Sequence, residues 1–393
     1  MDKNLLSPEI QEFIVSHSDG DIAALALRKN PFPDVDWREV VNQIAARAKS
    51  REKLPTWFNS ELIYYPATIS IEQASSEATA RYKATIVDGN SLTDLTGGFG
   101  VDSYFFAQQI STVTHCEMNA ELSAIAAHNF KVLGAQNISC LVDDGTQLLD
   151  KLPLQDWIYI DPARRSDSNR KVFMLEDCQP NVVQLLDNYF DKAKNILIKT
   201  SPVLDITAGL LALKNVKKIH VVAVKNEVRE LLWELQRDYE SNVTIKAINL
   251  TPTATEEFSF VFGDIASSTY SLPKKYLYEP NAAIMKSAGY EHISGQYNIE
   301  KLHPHSHLFS SAELQAFPGR RFMIDEIVAY DKAGIKRLSE LKKANITTRN
   351  FPETVERLRK RLKIADGGDR YCFFTTDINQ DKIALICSKI MEA

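Results

Sequence analysis

From Ser91 to Asp102 the chain reads Ser-Leu-Thr-Asp-Leu-Thr-Gly-Gly-Phe-Gly-Val-Asp. A short apolar strand passes an acid at Asp94, breaks on Gly97, Gly98 and Gly100, and restarts as a helix through Tyr104, Phe105, Phe106 and Ala107. Glycine turns the chain through positive φ and lets a ligand approach the backbone without meeting a Cβ. A strand that ends in such a turn and feeds a helix predicts a ligand site built largely from main chain.

The chain on either side fits an α/β fold. Strands are expected at 91–96, 111–117, 138–143, 157–161, 195–200 and 219–224, with helices over 101–109, 120–134, 178–191 and 204–213. That alternation predicts a parallel sheet with helices on both faces. Apolar residues at 228, 231, 232 and 235 predict a further helix over 226–235. The strand-like segments 244–250 and 258–262 are expected at the antiparallel edge of the sheet. Residues 1–60 show helical spacing and predict a small helical cap. Residues 70–84 predict one helix leading to the hinge strand. Its Gln73, Ser75, Ser76 and Thr79 suit either helix capping or the carboxylate end of an amino-acid-like ligand.

A break in composition at Ser271-Leu-Pro-Lys-Lys divides the chain further. The expected domains are 1–88 (helical), 89–273 (the sheet), 274–318 and 319–393 (small α/β modules). In the last of these, strands are expected at 322–327, 371–375 and 383–388, with a basic helix at 352–363.

Composition excludes several classes. The 44% hydrophobic and 25% charged contents are those of an ordinary soluble protein. No apolar run approaches the ~20 residues that cross a bilayer. The amino terminus lacks the basic-then-apolar pattern of a secretion signal. The five cysteines are scattered without metal-ligand spacing, which predicts reduced thiols in a cytoplasmic protein. His303, His305 and His307 alternate along the chain, but no acid or cysteine cluster accompanies them, so no structural metal is expected.

Four polar signposts fall at successive strand ends, where ligands bind in such sheets. Asp94 comes with the glycine turn. Glu117 follows the second strand and is placed to accept both hydroxyls of a ribose. Asp143 and Asp144 follow the third, and an acid there can accept from an adenine amino group. Asp161-Pro162-Ala163-Arg164-Arg165 follows the fourth. A dinucleotide would want glycine where Ser103 stands, and its pyrophosphate would meet Asp102 at the helix start. S-adenosylmethionine has no phosphate, so these residues favour it.

The stretch 91–165 resembles the class I S-adenosylmethionine-dependent methyltransferases, in RNA-modifying branches whose first motif is D-x-x-x-G-x-G. Asp94, Gly98 and Gly100 match that motif, with Gly97 inside it and Thr96 where many relatives have glycine. Glu117 matches the ribose acid, Asp143 or Asp144 the adenine acid, and Asp161-Pro162 the Asp/Asn-Pro-Pro motif that meets substrate. Further segments carry the likeness over most of the chain: 73–84, Tyr278-Glu-Pro-Asn, Phe317-Pro-Gly-Arg-Arg and Gly367-Gly-Asp-Arg-Tyr. They resemble a bacterial methyltransferase family that carries a ferredoxin-like piece and then a THUMP-like module at the carboxyl terminus. The resemblance implies a Rossmann-like sheet of seven strands, the last antiparallel.

It also implies methyl transfer by positioning, with Asp161 and the Pro162 backbone orienting the acceptor. No aromatic follows Pro162, which counts against stacking on a base for amine methylation. No cysteine follows the next strand, which counts against a covalent route to carbon.

Charge is uneven. Residues 274–393 hold 20 Lys and Arg against 15 Asp and Glu, whereas the remainder holds 26 against 36. The basic end predicts a polyanionic partner, transfer or ribosomal RNA. Its candidate contacts are Arg320, Arg321, Arg359, Lys360 and Arg361, joined by Arg164 and Arg165 near the chemistry. The competing expectations are a protein or small-molecule methyltransferase, and a non-catalytic RNA-binding protein on the same scaffold.

Overall fold

The computed structural model describes residues 1–164 and 174–390. Its chain forms two compact units, one of residues 1–219 and 230–241, the other of residues 220–229 and 242–393.

In the first unit, helices Pro8–His17 and Trp37–Lys53 bury Ile10, Ile14, Val40 and Ile44 on their inner faces, as the helical spacing predicts. The expected helix at 70–84 is instead two, Thr68–Gln73 and Glu77–Ala84. They divide because Ser76 leaves helical geometry to cap the second, its side chain accepting from the Thr79 N–H.

The six expected strands all form: β1 (Ser91–Asp94), β2 (Thr112–Cys116), β3 (Ile138–Leu141) and β4 (Gln155–Ile160) come first. After a two-stranded ribbon of β5 (Ala163–Arg164) and β6 (Cys178–Gln179) come β7 (Ala193–Thr200) and β8 (Val216–Val224). The helix foreseen at 178–191 starts later, at Val182–Lys192.

The expectation of a helix at 226–235 is wrong. Those residues form β9 (Glu227–Gln236), antiparallel to β7, with Ile198 opposite Trp233 and Lys199 opposite Leu232. The cause is the turn before it. Lys225 and Asn226 have φ of 50° and 65°, the two positive angles of a tight hairpin, which send the chain straight back along β8. Residues 230–235 are then buried on both faces, which removes the alternation that marks a half-exposed strand.

The strand order in this unit is β3-β2-β1-β4-β7-β9, followed by the start of β8. Strands β1 to β4 and β7 are parallel neighbours, and β9 is the one that reverses. This is the seven-stranded sheet with an antiparallel last strand. Its polar strand tips collect at the carboxyl ends of β1, β2, β3 and β4.

In the second unit, β10 (Thr244–Leu250) and β11 (Thr255–Val261) form an antiparallel hairpin. Next come β12 (Tyr276–Pro280), β13 (Glu300–Lys301), β14 (Phe309–Ser311), β15 (Gly319–Ala329), β16 (Asn345–Arg349), β17 (Arg370–Thr376) and β18 (Lys382–Lys389). These seven make one sheet in the order β13-β14-β12-β15-β18-β17-β16, so strands from 274–318 and 319–393 share it. The basic helix Val355–Leu362 buries Leu358 and Leu362 against Cys372 and Phe374. Among the described residues no helix is long and apolar enough to cross a membrane.

Candidate active site

The glycine turn is shaped from below by a histidine. His115 on β2 is fully buried, and a Cβ added to Gly97 would lie 2.2 Å from its Cε1, so this position admits no side chain. Gly100, at φ 86°, starts the helix in a left-handed conformation that other residues resist. The face of Gly98 is open, with no atom nearer than 3.9 Å to an added Cβ.

Asp94 is buried beneath the turn. Its carboxylate accepts from the Thr96 N–H at 3.0 Å and from the Ser103 hydroxyl at 2.6 Å, and Ser103 also meets His115 Nδ1 at 3.1 Å. Burial is the main reason its pKa climbs to about 7, and the nearby Asp102 and Asp161 add to it. Burial likewise drives His115 down to about 4, so its ring is neutral.

Glu117 reaches the turn from the tip of β2. Its Oε2 accepts from the Gly98 N–H at 2.9 Å and its Oε1 from the Asn119 N–H at 2.8 Å. The two acids after β3 differ. Asp144 caps the helix Gly145–Leu148, accepting from the Thr146 N–H at 2.8 Å. Asp143 instead pairs with Lys151 at 2.7 Å, and that bond holds its pKa below the usual carboxylate value. Gln73 is exposed at the end of its helix.

Asp161 is tied to the turn through Thr96, whose hydroxyl accepts the Asp161 N–H at 2.8 Å. That bond gives Thr96 work that a glycine there could not do. Pro162 beside it is buried. Arg165 lies outside the described residues, and for Arg164 the backbone alone is described, paired in β5 with Cys178.

Beneath Asp161 lies a set of charged residues, of which the sequence singles out Asp102 alone, and for another role. Lys199, at the tip of β7, forms an ion pair with Asp161. Lys83 is fully buried and meets Glu230 at 3.1 Å, Asp102 at 3.1 Å and the Ser75 hydroxyl at 2.9 Å. Asp102 also accepts from Ser75 at 2.7 Å and from Tyr159 at 2.8 Å. Asp102 therefore turns inward, away from the helix mouth. Burial opposes the charge on Lys199, but Asp161, Asp102 and Glu230 outweigh it and raise its pKa above the ordinary value. Burial alone would raise Asp102, yet Lys83 and Lys199 keep it lowered.

Comparison with known proteins decides the family. A crystal structure from Porphyromonas gingivalis W83, assigned as a methyltransferase, is 31% identical, covers 99% of both chains and superposes with a TM-score of 0.88. Family models match residues 276–318 as a ferredoxin-like domain and 319–389 as THUMP domain-like. An uncharacterized S-adenosylmethionine-dependent methyltransferase, found in two strains of Mycobacterium tuberculosis, is 24% identical over 302 residues, covering 75% of this chain and 80% of its own. The chain belongs to this family of S-adenosylmethionine-dependent methyltransferases.

The methyltransferase cradle suits its cofactor on physical grounds. The open Gly98 face lies beside a carboxylate that has lone pairs left for hydroxyls, and the surrounding acids favour a cation. Contrary to the expectation from sequence, Asp102 does not stand at the helix mouth: its carboxylate turns inward to Lys83, Ser75 and Tyr159, so the case against a dinucleotide does not rest on it.

In the carboxyl-terminal part of the methyltransferase, the four arginines proposed for RNA already have partners. Arg320 grips the buried Glu279 from the neighbouring strand, its Nε donating at 2.6 Å, and Arg349 holds the other oxygen at 2.8 Å. Arg359 pairs with Asp366 and donates to the carbonyls of Ala344 and Ile364. Arg361 pairs with Glu353 at 2.8 Å and lies over the Tyr330 ring. Arg321 is half-buried on β15. Pro352, Glu353, Arg357, Lys360 and Arg361 line a cleft of about 590 Å³. His303 is buried and its Nδ1 accepts from the His305 N–H and the Asn350 amide. Among the described residues no group of three or more His, Cys, Asp or Glu side chains could hold a metal ion.

Proposed function

We propose that this methyltransferase modifies a structured RNA, transfer or ribosomal, and that the acceptor meets the methyl group at Asp161 and Pro162. The observation carrying the RNA assignment is the THUMP-like module with its exposed basic cleft at Arg357, Lys360 and Arg361. Such a cluster attracts phosphates through charge alone. Arg320 and Arg359 serve the fold of the module first, and Arg164 and Arg165 are near enough to Asp161 in sequence to touch the same RNA.

In the cofactor site, Glu117 accepts the ribose hydroxyls and Asp143 the adenine amino group, while Asp144 sets the helix beside it. Gly97, Gly98 and Gly100 clear the space. Asp94 supplies negative charge under the turn, and Gln73 borders the amino-acid end. The cofactor supplies a methyl group on a sulfonium, a leaving group already activated by its charge. The residues therefore act mainly by holding and orienting the acceptor.

Calorimetry tests the site. Glu117→Ala should weaken S-adenosylmethionine binding by about ten- to a hundredfold, the value of a charge-assisted hydrogen bond, and Asp94→Ala should weaken it through the loss of charge and of the turn's anchor. Unchanged affinity in both would refute the assignment. Methyl transfer to protein in preference to RNA would refute the substrate.

A further inference from the structure

Asp161 is not a solitary acceptor. One of its oxygens is held by Lys199, its backbone is fixed by Thr96, and Lys199 is bordered in turn by Asp102 and Glu230. The strands explain the convergence. Ile160 lies opposite Ile198, so Asp161 and Lys199 leave adjacent strand tips together. Lys199 lies opposite Leu232, and Glu230, two residues along, shares its face. Lys83 enters from the helix Glu77–Ala84 and pairs with both Glu230 and Asp102. Two lysines and three acids thus form one cluster at the point where the acceptor must lie.

We propose that the atom methylated is a hydroxyl oxygen, the ribose 2′-OH of the RNA, and that Lys199 and Asp161 activate it together. The assignment deepens the RNA function above and rests on it. An ammonium offers only donors, and so does an exocyclic amine whose lone pair is aimed at the methyl group. Lys199 has nothing to give such an amine. It also occupies an oxygen the amine would need, and Ala163 offers no ring for a base to stack on. Methylation at carbon asks for a thiolate. Cys116 donates its thiol to the Asp143 carbonyl and is raised to about 12, chiefly by burial. A hydroxyl complements the pair, because its proton can go to Asp161 while its lone pairs accept from Lys199.

The step balances. The hydroxyl oxygen forms a bond to the methyl carbon as the carbon–sulfur bond breaks, and that electron pair leaves with sulfur. The hydroxyl proton passes to Asp161, which is 35% exposed and can return it to water. Lys199 keeps its proton and offsets the negative charge growing on oxygen. Lys83 and Glu230 are positioning residues that hold Lys199 in place.

The wild-type chain is incubated with methyl-labelled S-adenosylmethionine and bulk RNA from cells deleted for its gene, and the RNA is then hydrolysed in alkali. A 2′-O-methyl group blocks cleavage at its own nucleotide, so label in alkali-stable dinucleotides is the expected result. Label in mononucleotides would overturn the hydroxyl while leaving the RNA function standing. RNA that takes no label would sink both. Lys199→Met should lower turnover by about 10²- to 10⁴-fold, with S-adenosylmethionine affinity kept within about twofold by calorimetry. A wild-type rate in that variant would remove Lys199 from the chemistry. Lys199→Arg keeps the charge and the pair, and should be faster than Lys199→Met; an equal rate would show that charge is not what Lys199 contributes. The position of the label is read on the wild type, so it decides the acceptor even if a variant fails to fold.

Discussion

Asp94, proposed to help bind the cofactor, is kept at a cost to folding. It ionises at about 7 in the folded chain, against 3.8 without the fold, because burial outweighs the hydrogen bonds from Ser103 and Thr96. Between those values the folded chain keeps a proton that the unfolded chain has released, so this residue's contribution to stability falls as pH rises. The ceiling is about 4 kcal/mol for a gap of roughly three units. Asp94→Asn removes the slope. The variant should gain thermal stability over the wild type at pH 8 and little at pH 4, by scanning calorimetry. A cationic ligand prefers the ionised form, so wild-type affinity for S-adenosylmethionine should climb as pH rises toward 7 and flatten beyond it. Equal pH dependence in wild type and Asp94→Asn would show that another group titrates. At this scale the sequence was informative about acids that recur at strand tips, Asp94, Glu117 and Asp143. It was silent on Lys83 and Glu230, which meet across 147 residues and carry no local motif.

At the scale of elements, the strands of the parallel sheet were legible because each is a compact apolar run closed by a turn. β9 was not. Six successive buried residues fit a buried helix as well as a central strand, and the hairpin turn Lys225-Asn226 carries only half of the usual turn signal, its asparagine. The helix expected at 352–363 forms at Val355–Leu362, and its buried face was legible, since its two leucines four residues apart are its two buried positions. What spacing could not say is which of its charges are free to act. Arg359 is half-buried and bonded and Arg361 is exposed but paired with Glu353, whereas Arg357 and Lys360 are exposed. Reversing Arg357 and Lys360 to Glu should leave the melting temperature near the wild-type value. RNA affinity should fall, and the salt dependence of binding should shrink by about one unit of slope for each lost phosphate contact. Filter binding across a salt series checks both, and an unaltered slope would move the docking face elsewhere.

For the molecule as a whole, the sequence divided the chain by composition at 271, but the compact units divide it at the β8–β9 hairpin and again at 241. The first unit is therefore discontinuous. The chain leaves it at 219, turns through 220–229, returns to lay down a strand, and departs for good at 242. A fragment of residues 1–219 lacks β9, which exposes the edge of β7, and it lacks Glu230, which leaves Lys83 with Asp102 as its one remaining acid. Breaking a buried pair in this way costs about 3–5 kcal/mol. The 1–219 fragment should aggregate or melt well below a 1–241 fragment in matched thermal scans; equal melting would mean that the seventh strand is dispensable. The same path limits how such genes can be shuffled. A crossover between relatives at position 219 would exchange, along with the basic module, the strand β9 and the Glu230 that pairs with buried Lys83. A junction beyond 241 keeps the first unit whole and leaves behind only residues 220–229 of the second.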